Sequence, residues 1–162
     1  MKQKGAQAIE FALILPFFIL ILFAVLDFGI LVYNKAIITN ASREGARRGV
    51  VLSASNWPIA LAAAQMTACN YAKSALIAVG GGTGTSDCSN TNVDPTIAVF
   101  SGVNAICPAP AGTTTPAFGD PIAVTISYSF KGFSLGSWWS LGTGTSVGSS
   151  IKLTACTQMV HE

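Results

Sequence analysis

The residue that most needs a chemical explanation is Glu10. It stands in KGAQAIEF, residues 4–11, at the mouth of the apolar run FALILPFFILILFAVL. A carboxylate inside a membrane costs roughly 2.5–3.5 kcal/mol at the centre of a spanning helix and less near its end. Such groups are usually paired and usually functional. The only nearby cations in the chain are Lys2 and Lys4. Either Glu10 rests at headgroup level beside them, or it serves a contact with another molecule.

Four cysteines, Cys69, Cys88, Cys107 and Cys156, all follow the apolar run. An even count in a small domain behind an export-type segment suggests two disulfides. Three pairings are open, and the spacings of 19, 19 and 49 residues do not choose among them. There is no CxxC, which argues against zinc. The glycine-rich stretch GGGTGTSDCSNTNVDP lacks the GK[ST] of a phosphate loop and reads as an ordinary loop. His161 is the only histidine and adjoins the terminus, so no histidine-based nucleophile constellation can be assembled. Asp87, Asp94 and Asp120 sit beside Gly, Pro or Cys and read as turn residues. These features imply no catalytic residue, no metal and no cofactor.

The elements that position these residues follow from periodicity. Residues 6–32 predict a helix of about 40 Å, long enough to cross a hydrocarbon core ~30 Å thick with some tilt. No polar face interrupts residues 11–26. Pro16 lies inside the run, where a membrane helix tolerates it better than a soluble one. Asp27 follows Glu10 by 17 residues, about 25 Å along a helix, which places it near the opposite interface. There it is either a solvated boundary residue or a contact for a partner helix. Residues 33–52 continue the helix into water. Ala41, Gly45 and Gly49 recur every four residues and form a stripe of small side chains that lets another backbone approach closely.

Pro58 suits the first turn of a second helix, capped by Ser55 or Asn56 and running to about Val79. Ile59, Ala62, Met66, Cys69, Ala72, Leu76 and Val79 fall at spacings of three and four and predict its core face. A short strand is expected at 96–100. The clearest strand is 121–130, where Ile122, Val124, Ile126, Tyr128 and Phe130 alternate with small residues at a period of two. Another follows at 150–160, with Ile151, Leu153 and Ala155 on one side, and an antiparallel pair is the simplest arrangement. Trp138 and Trp139, in the loop between these strands, either cover the sheet or touch a membrane or partner. The expected fold class is α+β: a long N-terminal transmembrane helix extended into a C-terminal domain with a second helix and a small antiparallel sheet. The expected organisation is 1–5, 6–52 and 55–162, as a short N-terminal segment, an extended membrane helix and a domain.

Composition agrees with export. Only 10% of the 162 residues are charged, against roughly 25% in an ordinary soluble domain. The net charge of +2 gives no basic patch for nucleic acid. Seven of the nine Lys and Arg residues lie before position 50 or at Lys73. The Gly-, Ser- and Thr-rich remainder reads as an extracytoplasmic surface. Flanking charges alone do not orient the helix: Lys2 and Lys4 face Lys35, Arg43, Arg47 and Arg48 across it. The cysteines and the weakly charged, Gly-, Ser- and Thr-rich second half point to an N-terminus inside, as does the sequence around Gly5 and Glu10 considered next.

Lys4-Gly5, then Ala6, then Glu10, then the apolar helix resembles the processing site of type IV pilin-like precursors. GAQAIEFALILPFF, LDFG at 26–29 and TNASREGARRG at 39–49 narrow the resemblance to the TadE-like minor pilins and pseudopilins of tight-adherence (Flp/Tad) systems. Glu10, Phe11, Ala12, Leu15, Pro16, Asp27, Gly29, Asn40, Ala41, Arg43, Glu44, Gly45, Ala46 and Arg47 match that family's pattern in order. The match covers about residues 4–49; the remainder resembles nothing specific. The resemblance implies cleavage by a prepilin-type peptidase between Gly5 and Ala6, a leader of residues 1–5 left in the cytoplasm, and Glu10 as the fifth mature residue. The new N-terminal ammonium of a neighbouring subunit would then neutralise Glu10, since a buried carboxylate needs such a partner. Ala6 stands where many major pilins have phenylalanine, so N-methylation does not follow.

The resemblance implies a structural subunit of a bacterial inner membrane, with an extracytoplasmic C-terminal domain. Its partners would be other pilin or pseudopilin subunits, the peptidase and the pilus assembly platform, with no nucleic acid and no cofactor. Glu10, Pro16 and Asp27 would serve subunit assembly. Two rival readings are an adhesive or binding domain behind an ordinary signal sequence and an exported enzyme on a membrane anchor. The apolar run exceeds the usual 7–15-residue signal core, and no tidy Ala-x-Ala site follows it. No cluster of His, Cys or carboxylates supports an enzyme.

Overall fold

The computed structural model describes residues 4–53, 57–77, 95–101, 107, 119–130 and 151–160. The expected cap residues Ser55 and Asn56, and Asp87, Cys88, Asp94, Trp138, Trp139 and His161, lie outside them. Two helices and three strands follow in the order α1 (Lys4–Ser53), α2 (Trp57–Ala75), β1 (Thr96–Ser101), β2 (Pro121–Phe130) and β3 (Ile151–Val160). This is the α+β arrangement that the periodicities predict.

α1 is one helix of 50 residues that continues through Pro16. At 1.5 Å per residue it is about 75 Å long. Its two halves differ in what covers them. Residues 7–26 are all exposed, whereas Ile38, Ala41 and Ala46 are fully buried. Ile30 and Leu31 are the first side chains to touch the core. Residues 34–50 therefore belong to the same packed unit as α2 and the sheet.

α2 is rich in alanine, the strongest helix former. Pro58 stands in its first turn, where its missing N–H costs nothing. The helix stops at Ala75 rather than near Val79. A buried side chain from α1 explains the stop. Asn34 Nδ2 donates to the Ile77 carbonyl at 2.8 Å, and the Ile77 N–H donates to Asn34 Oδ1 at 3.0 Å. With both its backbone groups held from the side, Ile77 has left the helical ladder. The core face also differs from the expected one. Ala60, Ala64, Ala68, Cys69 and Ala72 are buried, while Ile59 and Met66 stand 58% and 47% exposed. The opposing surface of α1 is glycine and alanine, and helices that approach this closely admit only small side chains between them.

The sheet has the order β1-β2-β3 with both pairings antiparallel. Register places Val124 between Val99 and Thr157, and Ile126 between Ile97 and Ala155. Ile122, Val124, Ile126, Tyr128 and Phe130 are buried on the face that meets the helices. α1 lies over β2 and β3, and α2 over β1. Leu153 and Ala155 share that face, but Ile151 at the start of β3 is 52% exposed. The opposite face carries a small second cluster, in which Ala123 packs with Ala98, Cys107 and Cys156. Cys107 and Cys156 are bridged, with Cα atoms 5.7 Å apart. The bridge closes a sequence separation of 49, which the chain-entropy account values at about 4 kcal/mol. Thr125 Oγ1 donates to Cys156 Sγ at 3.1 Å on the same face. Cys69 is also disulfide-bonded, and its partner lies outside the described residues.

Candidate functional site

The residues singled out by chemistry fall on α1 and divide between its two halves. Gly5 and Ala6 lie at the start of the helix. Glu10 is exposed on the uncovered half, and Pro16 lies within that half. Asp27 is half-buried at its far end. Helix geometry separates Glu10 from Asp27 by about 25 Å, and from Asn34, where the folded domain takes hold, by about 36 Å. The intervening surface is apolar on every side: Phe11, Phe17, Phe18, Ile21 and Val25 are each at least 60% exposed. An 18-residue window of this helix has a mean hydropathy of 2.8, and the helix is long and apolar enough to cross a membrane. The structure thus sets a lone carboxylate at one end of a bare apolar rod and a folded domain at the other. It does not bring Glu10, Pro16 and Asp27 together, since each occupies a different level of the helix.

The other half of α1 contains the small-residue stripe. Ala41, Gly45 and Gly49 are all buried, and the two glycines face α2 and β2. A Cβ added at Gly45 would stand 2.8 Å from Ala68 Cβ and 3.1 Å from the Ala64 carbonyl oxygen. One added at Gly49 would meet Ala64 Cβ at 3.2 Å and Ile122 Cγ2 at 3.6 Å. The stripe is occupied by the chain's own second helix and sheet, so it is spent inside the subunit.

Three polar contacts fasten α1 to the domain. Asn34, fully buried, holds Ile77 as described above. Lys35 Nζ donates to the Thr154 carbonyl on β3. Ser42, also fully buried, has its hydroxyl 2.8 Å from the Thr39 carbonyl and 2.7 Å from Thr157 Oγ1. Sequence reasoning did not single out any of these residues. Each is an ordinary helix residue whose partner is remote: 43 positions away for Asn34, 119 for Lys35 and 115 for Ser42. Among the described residues no group of three or more His, Cys, Asp or Glu side chains could hold a metal.

Residues 5–47 match the family model described as TadE-like protein. The match begins at Gly5, runs the length of the bare apolar half, and ends inside the glycine stripe. It leaves out α2 and the sheet. No curated protein and no solved structure matches the chain.

Proposed function

We propose that this chain is a minor pilin or pseudopilin, a membrane-anchored structural subunit that takes part in assembling a Tad-type pilus. The observation that carries the reading is that the family match spans the whole bare half of α1, with Glu10 at its start. An apolar rod of that length, uncovered on every side, needs a bilayer or other helices around it. In this proposal the bilayer holds it first and neighbouring subunits later. Peptidase cleavage after Gly5 creates an ammonium at Ala6, and the ammonium of one subunit neutralises Glu10 of the next. That pairing removes the cost of burying Glu10 and fixes the axial register between subunits. The domain of residues 55–162, with the second half of α1 built into it, faces outward. Its role is structural rather than catalytic.

The test is the intact mass and N-terminal sequence of the protein from its native membrane, with and without the prepilin-type peptidase. The expected product begins at Ala6 and retains the whole of α1. Glu10→Gln should then leave processing intact and lower incorporation into fibres at least tenfold. An N-terminus beyond residue 25 would make the chain an exported soluble domain. An uncut chain would make it a plain membrane-anchored protein.

A further inference from the structure

We propose that the face of α1 turned away from the domain, marked by Arg43 and Arg47, takes Asp27 of a second copy of this chain raised along the fibre. The proposal rests on the reading of the chain as a fibre subunit and names a contact between its copies.

Helix geometry assigns the two faces. Asp27 heads the line of buried residues Asn34, Ile38, Ala41 and Gly45, which follow it at spacings of seven, four, three and four. It therefore lies on the side of α1 that carries the domain, where it is half-buried. Arg43 and Arg47 follow Asp27 by 16 and 20 residues, a rotation of about 160° and about 200° at about 3.6 residues per turn. They stand on the back of the helix, and both are exposed. Two copies side by side in the same orientation turn the back of one toward the domain side of the other, so the arginines of one face the carboxylate of the other. A guanidinium grips a carboxylate through two parallel hydrogen bonds. Asp27 already has an interaction within its own chain. A carboxylate offers about four acceptor positions, so it can receive an arginine as well.

The axial distances fit this pairing twice. Asp27 falls between the two arginines when one copy is raised by about 18 residues, midway between 16 and 20, which is about 27 Å. α1 is built into the domain from Asn34 to its end at Ser53, a length of about 28 Å. The domain of the raised copy then begins at the level where α1 of the lower copy ends. The second fit comes from Ala6 and Glu10, whose pairing sets a step of four residues between successive copies. Four such steps bring Asp27 level with Arg43, and five bring it level with Arg47.

Apolar surface is covered by the same shift. Leu20 and Phe23 precede Asp27 by seven and four residues and are exposed on its face. Raised by about 18 residues, they come beside Ala36 and Asn40 of the lower copy, which are exposed on the arginine side. Two copies held in one bilayer do not make this contact. Their apolar halves share one depth, and the arginines of one stand about 24 and 30 Å above Asp27 of the other. The contact belongs to the assembled fibre alone.

Carbodiimide cross-linking of fibres sheared from native cells tests this. Arg43→Lys and Arg47→Lys, made separately, keep the charge and supply an amine that the reagent joins to a touching carboxylate. Within one chain Asp27 and position 47 lie about 30 Å apart on opposite sides of a helix, so a link between them reports two copies. The expected result is a peptide joining Asp27 to position 43 or 47 in fibres, at least tenfold scarcer in the membrane fraction. Asp27→Arg should leave the cut after Gly5 unchanged and lower the chain's content in fibres at least tenfold. Adding Arg43→Asp and Arg47→Asp to the same chain should restore it. Fibres that contain the chain but give neither link, or link either position to another protein, would overturn the contact and leave the fibre-subunit reading. So would a link equally abundant in membranes, or a reversed set of charges that restores nothing. A chain absent from fibres would overturn both.

Discussion

At the scale of single residues, the chain separates what is announced by local contrast from what is not. Glu10 is conspicuous because nothing charged follows it until Asp27. Asn34 has no such contrast: it sits in YNK, where the apolar run meets water and a polar residue is expected. Yet Asn34 is fully buried and supplies both partners of Ile77. Asn34→Ala removes a donor and an acceptor at once and leaves two backbone groups unpaired. An unsatisfied buried group costs about 1–3 kcal/mol. Both bonds are only partly buried, so we expect the Ile77 amide to lose its exchange protection and the domain to lose about 1–2 kcal/mol. Hydrogen exchange at Ile77 and at the central-strand residue Ile126 measures the local and the global loss. If Ile77 stays protected in the variant, the amide pair is not what ends α2. Reading this residue from sequence would have required knowing that position 77 lies beside position 34, which no local rule supplies.

At the scale of elements, periodicity alone identified β2, because its large residues all point one way and its small ones the other. The same reasoning finds only the second half of the buried face of α2. Spacings of three and four put Ile59, Ala62 and Met66 on one face with Cys69, Ala72 and Leu76. The last three do pack on the core, but contact with a Gly45-Gly49 surface turns the face toward Ala60, Ala64 and Ala68 and leaves the first three exposed. The information lay in α1, where a stripe of small residues was legible; what was not legible is that α2 would be the element to occupy it. The closeness of that contact predicts an ordering. Gly45→Ala gains about 1 kcal/mol of helix propensity. It also forces Ala68 Cβ and the Ala64 backbone to move, and overpacking of that kind costs about 1–3 kcal/mol. Neither neighbour is the flexible end of a long side chain, so the net effect should be destabilising. Gly49→Ala meets its nearest neighbour at 3.2 Å and should come out near neutral. Exchange at Ile126 compares the two. Equal stability for both variants would mean that α1 and α2 separate without cost.

At the scale of the whole molecule, the break at residues 53–56 is not where the packing divides. A boundary drawn there follows the local signals, a short polar break and then Pro58. But Ile38, Ala41, Ser42 and Ala46 are fully buried on the other side of it. Ile38, Ala41 and Ala46 share one core cluster with Ala64 and Ala68 of α2 and Val124 of β2, and Ser42 reaches Thr157 of β3. A chain beginning at residue 55 would expose the inner face of the sheet and the alanine stripe together. It would also lose the Asn34 clamp and the Lys35 and Ser42 contacts to β3. A chain beginning at residue 30 keeps every one of these and discards only the uncovered apolar half. We therefore expect residues 30–162 to be a soluble, folded monomer with dispersed amide signals and the Cys107–Cys156 bridge intact. Residues 55–162 should aggregate or give collapsed spectra. A separate peptide of residues 30–53 should restore the fold when added to the shorter fragment, since α1 contributes surface rather than chain connectivity. If residues 55–162 fold alone with β2 in its present register, the second half of α1 is an attachment to the domain and not part of its core. Extraction of α1 from a membrane would then leave the domain standing, whereas a shared core ties the position of the anchor rigidly to the orientation of everything above it.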